Sequence, residues 1–80
     1  MNRYTYNFKS VCPVNQQEIE YRLVIDTKEK ILVEDLKEHL IKHHAESYHE
    51  EIADDLVCSF PGKQYLCAIH HGVLIETWRN

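Results

Sequence analysis

The spacing of apolar residues along the chain changes twice, and that change limits the folds open to it. From Tyr4 to Asp26 they recur at every second position, from Val33 to Phe60 at every third or fourth, and from Tyr65 to Trp78 at every second again. A period of two sends alternate side chains to opposite faces of a strand, whereas a period near 3.6 gathers them on one stripe of a helix. The order read this way is ββααββ, an α+β fold. Two helices inserted between two hairpins can cover one face of a four-stranded antiparallel sheet.

The element ends follow from local chemistry. In the first strand Tyr4, Tyr6 and Phe8 alternate with polar residues, and the same period carries Cys12 onto the face of the rings. Pro13 has no N–H for a sheet ladder, so the strand stops there. A polar connection from Pro13 to Glu18 leads to a second strand in which Ile19, Tyr21, Leu23 and Ile25 alternate with Glu20, Arg22 and Asp26. Asp26 to Lys30 is charged and aperiodic, hence a turn. The first helix runs from Val33 to about His44, with Val33, Leu36, Leu40 and His44 on one face. The second is expected from Ser47, because Ser47 and Glu50 have capping-box spacing ahead of the stripe Ile52, Ala53, Leu56, Val57 and Phe60. Pro61-Gly62 ends it. A third strand from Tyr65 to His70 has little polar character on either face and is expected to be central or interfacial. His71-Gly72 falls where a two-residue hairpin turn belongs, and Val73 to Trp78 is the fourth strand.

Residues 1–80 are read as a single domain, and a chain of this length buries only about three-fifths of the surface it exposes unfolded. The sheet face opposite the helices and its unpaired edges therefore invite neighbouring subunits, and a ring-shaped homo-oligomer is expected. A net charge of −4 with 9 Lys and Arg does not supply the basic footprint of a nucleic-acid binder. A small-molecule ligand fits better. No apolar run approaches the ~20 residues of a membrane span, and Met1-Asn2-Arg3 leads straight into a strand pattern, so a cytoplasmic location is expected. Three cysteines cannot all pair within the chain, and Cys12, Cys58 and Cys67 are read as free thiols.

Among residues able to carry chemistry, Cys12 comes first. By position alone a cysteine closing a strand is more often a small core residue than a nucleophile. A reactive thiol would need a neighbouring imidazole, positive charge or helix N-terminus. His49 continues the stripe His49, Ile52, Ala53, Leu56 and so faces the sheet from the second helix's first turn. Glu50 is explained either by the capping box or by a ligand offering it two N–H donors. Glu51, Asp54 and Asp55 lie off the stripe and are expected in solvent. His43 and His44 suit a helix C-terminus. The chain has no Cys-x-x-Cys and its paired histidines point apart, so no metal site is expected. Cys58 and Cys67, flanked by apolar residues, read as structural.

Two local patterns carry a resemblance. Ser10-Val11-Cys12-Pro13 closing the first strand, and Tyr48-His49-Glu50 opening the second helix with Asp55-Leu56 beyond it, resemble the nitrile reductases that act on 7-cyano-7-deazaguanine. The chain is more similar still to their archaeal amidine-forming relatives, in which His-Glu-Glu is followed by Asp-Leu and a pair like Gly72-Val73 opens the last strand. The resemblance implies the tunnelling fold, in which subunits join their sheets into a barrel and bind purines or pterins at the interfaces. It implies Cys12 as the nucleophile that forms a covalent thioimide, and His49 and Glu50 as the substrate-binding pair, with Glu50 on the guanine-like edge. The substrate class would be a deazapurine of queuosine- or archaeosine-type tRNA modification, or a pterin.

Two positions depart from that pattern. The family's aspartate acid, seven residues after the cysteine, is here Ile19, which leaves Glu18 as the expected catalytic acid and Glu20 as second choice. The lysine- and serine-rich motif that serves the nicotinamide cofactor is here Val33-Glu34-Asp35-Leu36-Lys37-Glu38. NADPH use is therefore not expected, and nitrile addition without reduction is favoured. Two alternatives stay open: a zinc-assisted, cyclohydrolase-like enzyme using Cys12 with histidines, and a non-catalytic purine- or pterin-binding or assembly module.

Overall fold

The computed structural model describes residues 1–80. Its elements are β1 (Asn2–Val11), β2 (Glu18–Thr27), α1 (Val33–His43), α2 (His49–Ser59), β3 (Lys63–His70) and β4 (Val73–Arg79). The strands form one antiparallel sheet in the order β1-β2-β3-β4. The ββααββ order and the central place of the third strand agree with the sequence. Neither helix is long and apolar enough to cross a membrane.

Register determines which side chains share a face. Phe8 pairs with Tyr21, Tyr21 with Ala68, Leu23 with Leu66, and Leu66 with Thr77. These rows point toward the helices, where Leu36, Leu40, Ile52, Ala53 and Leu56 complete the core. Leu23, Ile25, Ile52 and Leu56 are fully buried, and each contributes roughly 1.5–3 kcal/mol through the apolar surface it removes from water. The aromatic run of β1 enters this layer obliquely. Tyr6 and Phe8 stack at 5.9 Å, and Phe8 stacks on Tyr21 at 5.2 Å.

The other face of the sheet carries charged residues of β1 and β2 and, toward β4, the exposed side chains of Ile69, Leu74 and Trp78. A shallow depression of about 800 Å³ on it is lined by residues including Asn7, Lys9, Glu20, Arg22, Ile69 and Leu74.

Two turns depend on residues the sequence marked. His71 and Gly72 both have positive φ, 50° and 79°, as a two-residue hairpin turn between right-twisted strands requires. Gly62 has φ 109°, and a Cβ there would lie 2.3 Å from the Asp26 carbonyl oxygen, so α2 can turn into β3 only through glycine. Buried Gln64 then donates its amide to the carbonyls of Leu56 and Phe60, satisfying acceptors that the end of α2 leaves open.

The start of α2 differs from expectation by one register position. Tyr48 precedes the helix, and its backbone N–H donates to Glu51 Oε1 at 3.2 Å. Ser47 is drawn away from capping: its N–H donates to Ser10 Oγ at 3.2 Å, while its hydroxyl lies 3.0 Å from His44 Nδ1. The carboxylate that closes the helix start is thus Glu51, and Glu50 has no capping role.

Candidate functional site

The end of β1 meets the segment that precedes α2. Ser10 and Val11 end β1 beside the segment joining α1 to α2. Besides the Ser10–Ser47 hydrogen bond, the Val11 N–H donates to the Ala45 carbonyl at 2.9 Å, and Val11 bridges Glu46 in parallel. Cys12 follows as the first residue of the β1–β2 loop. Its N–H donates to the Gln17 carbonyl at 2.8 Å, and its own carbonyl accepts from Gln16 at 2.9 Å. This closed loop fixes the backbone under the thiol. Cys12 is half-buried and packs against the edge of the core.

Tyr21 lies against two histidines. Burial, and then the charge of a Cys12 thiolate, push its phenol up to about 12, so the hydroxyl keeps its proton at neutral pH. The Tyr21 ring lies 5.4 Å from that of His49 and 5.9 Å from that of His70, and the two imidazoles are 5.5 Å apart. His49 sits on the buried stripe the helical period assigned to it and is 5% exposed. Its Nε2 meets Thr77 Oγ1 of β4 at 3.0 Å. Nδ1 of His49 and Nε2 of His70 are buried without a well-formed hydrogen bond.

Burial is the main cause holding His49 below the ordinary histidine value of 6.5. The neighbouring His70 and Arg79 push the same way, against Glu50 and the Leu66 carbonyl. His70 is lowered by burial and by His71. Two neutral imidazoles and a protonated phenol thus share one end of the helix-covered layer.

The acidic residues are distributed differently. Glu50 projects from α2 with its side chain 78% exposed, and Arg79 is its nearest cation at 3.9 Å. Glu18 pairs with Val11, and so points to the face away from Cys12, where Lys9 approaches it at 3.4 Å. Glu20 shares that face and that lysine, at 3.9 Å. Ile19, at the position of the family's acid, is buried among core residues. The structure therefore puts Cys12 at the core edge of the helix-covered face that also holds Tyr21 and His49, leaves Glu50 at the surface, and keeps Glu18 on the opposite face. Of the other cysteines, Cys58 is exposed rather than a core residue, and Cys67 lies half-buried on the open face; all three thiols are free.

One further expectation is corrected. His44 is buried on the face the helical period assigned to it, but Asp55, expected in solvent, is partly withdrawn from it. The Oδ2 of Asp55 is 2.6 Å from Nε2 of both His39 and His44, and its Oδ1 accepts from Ser59 Oγ at 3.1 Å. Burial alone would raise the Asp55 carboxyl, but the bonds from His44, His39 and Ser59 override it and bring it down to about 2. The sequence reading passed over His39. Its signal was indirect: a histidine on the apolar stripe, His44, needs a polar partner, and the facing helix offers Asp55 one position before the buried Leu56.

Comparison of the chain with family models, with curated proteins and with solved structures finds no match.

Proposed function

We propose that the protein is an enzyme that binds a deazapurine or related heterocycle and adds the Cys12 thiol to its nitrile carbon, in the manner of the 7-cyano-7-deazaguanine enzymes it resembles. The observation that carries this reading is the pinning of Ser10-Val11-Cys12 against the segment that opens α2, through the Ser10–Ser47 and Val11–Ala45 hydrogen bonds. Segments 37 residues apart in sequence are thereby held side by side.

The chemistry needs few parts. The thiol sulfur forms a bond to the nitrile carbon, one π bond of the nitrile opens, and its nitrogen takes up the thiol proton. The product is a thioimide, and nothing is expelled. Glu50, free of capping and exposed, is available to accept two N–H donors from a guanine-like edge. His49, fixed by Thr77, is the buried member of the pair. Addition of a thiol across a nitrile is balanced without a separate acid, so Glu18 on the far face is not required for this step. Addition without reduction is also what the Val33–Glu38 stretch favours over NADPH chemistry.

The assembly proposed with this function is a ring of subunits joined through the free edges of β1 and β4, with the helices outside and the exposed Ile69, Leu74 and Trp78 facing inward. Sedimentation at micromolar concentration should show a species several times the protomer mass, and a monomer would refute the ring. Nitrile addition is tested by intact-protein mass spectrometry after incubation with 7-cyano-7-deazaguanine. An adduct with the mass of the whole compound is expected, absent in Cys12→Ala; folded protein without an adduct would refute it.

A further inference from the structure

We propose that His39, His44 and Asp55 form a binding site for one divalent transition ion of the zinc class, which ties the C-terminal end of α1 to α2. The three donor atoms lie within 4.8 Å of one another. The side chains of His39, His44 and Asp55 are only 20%, 8% and 35% exposed, so the group is partly withdrawn from water. Two imidazole nitrogens with one carboxylate oxygen are a donor set suited to zinc and its neighbours rather than to magnesium or calcium.

The partners of the ligands support the assignment. The Ser47 hydroxyl lies 3.0 Å from Nδ1 of His44 and 3.4 Å from the His43 carbonyl oxygen. The contact with Nδ1 orients the His44 ring so that Nε2 faces Asp55 Oδ2. A metal ion would take the place of the proton that now joins Nε2 to that oxygen across 2.6 Å. Ser59 orients the other oxygen of Asp55 in the same way. Hydrogen bonds of this kind, which fix the orientation of a ligand, are what metal sites use.

Ligands at ~2.0–2.1 Å from a tetrahedral zinc ion lie about 3.3 Å from one another, so Asp55 Oδ2 would retreat from each nitrogen by roughly 0.7 Å, and the two nitrogens, now within 4.8 Å, would close by up to about 1.5 Å. The fourth position would be left to water or to the exposed His43, whose ring is 4.6 Å from that of His39. The benefit falls on the element least tied to the rest. Of the eleven residues of α1 only Leu36 and Leu40 are buried, and an ion bridging His39 and His44 to Asp55 would add a cross-link at its end.

The test uses the full chain, freed of metal by chelation and then titrated separately with zinc(II) and cobalt(II). The expected result is one equivalent bound per chain, a higher thermal midpoint with zinc, and a cobalt spectrum with tetrahedral d–d bands and no thiolate charge-transfer band. His39→Gln and Asp55→Asn should each weaken binding by about tenfold or more, and Cys12→Ala should leave it unchanged, which separates this site from the thiol chemistry. Absence of stoichiometric uptake, uptake unaffected by both substitutions, or a thiolate band would each overturn the assignment. The wild-type cobalt spectrum decides the matter even if a variant fails to fold.

Discussion

Replacing Thr77 with valine tests how His49 is held. Valine keeps the shape and the β-branched character of threonine on β4 but removes the only hydroxyl bonded to His49 Nε2. Both partners are nearly out of solvent, His49 at 5% and Thr77 at 7% exposed. Nδ1 of His49 has no well-formed hydrogen bond, so the substitution removes the one well-formed side-chain bond this buried imidazole makes. Stranding a buried polar group costs about 1–3 kcal/mol. For a domain of this size each kcal/mol moves the thermal midpoint by about 4–8 °C, so a mid-range loss of ~2 kcal/mol would lower it by about 8–16 °C.

Thr77→Ser keeps the hydroxyl and loses one methyl group, and should fall between wild type and Thr77→Val. In a His49→Phe background, where no nitrogen remains to be satisfied, Thr77→Val should be close to neutral. Urea and thermal unfolding should be measured at one fixed protomer concentration, because assembly would otherwise shift the midpoint. A Thr77→Val protein as stable as wild type would refute the claim that β4 anchors His49.

Other predictions concern charge. His49 and His70 are held below 6.5 in the folded chain, so the unfolded chain takes up protons first as the pH falls. Their contribution to stability is complete above 6.5 and is lost as the pH drops below it. Imidazole NMR titrations should place both groups below 6.5, and the urea midpoint should fall between about pH 7.5 and about pH 5.5; titration at or above 6.5 would contradict the burial argument. At the start of α2, Glu51→Ala should destabilise by roughly 0.5–1 kcal/mol through loss of the bond from Tyr48 N–H. Glu50→Gln should leave unfolding unchanged and weaken binding of a guanine-like ligand. The reverse pattern would show that Glu50 caps the helix after all.

Much of the fold was legible because period and punctuation are local properties. The change from alternation to a helical stripe placed all six elements, and His71-Gly72 and Pro61-Gly62 marked turns that need positive φ at His71, Gly72 and Gly62. The stripe also put His49 against the sheet. Properties that depend on pairing between distant segments were harder to read. Ser47 has the side chain of a helix cap, but Ser10 and His44 claim its hydrogen bonds, so the closing carboxylate is Glu51. Glu18 looked close to Cys12 in sequence; only the register, which pairs it with Val11, shows it on the opposite face. Asp55 lies off the apolar stripe of its own helix, and its partners come from the end of the other.

The most direct measurement for the proposed function is site-resolved mass spectrometry of the protein exposed to 7-cyano-7-deazaguanine. The covalent adduct should map to Cys12 alone, while Cys58, the most exposed of the three thiols, and Cys67 on the open face remain unmodified. Selectivity for a half-buried thiol over an exposed one would show that a built pocket, not accessibility, directs the reaction. An adduct spread over all three cysteines, or none on protein shown to be folded, would contradict the assignment of Cys12 as the nucleophile.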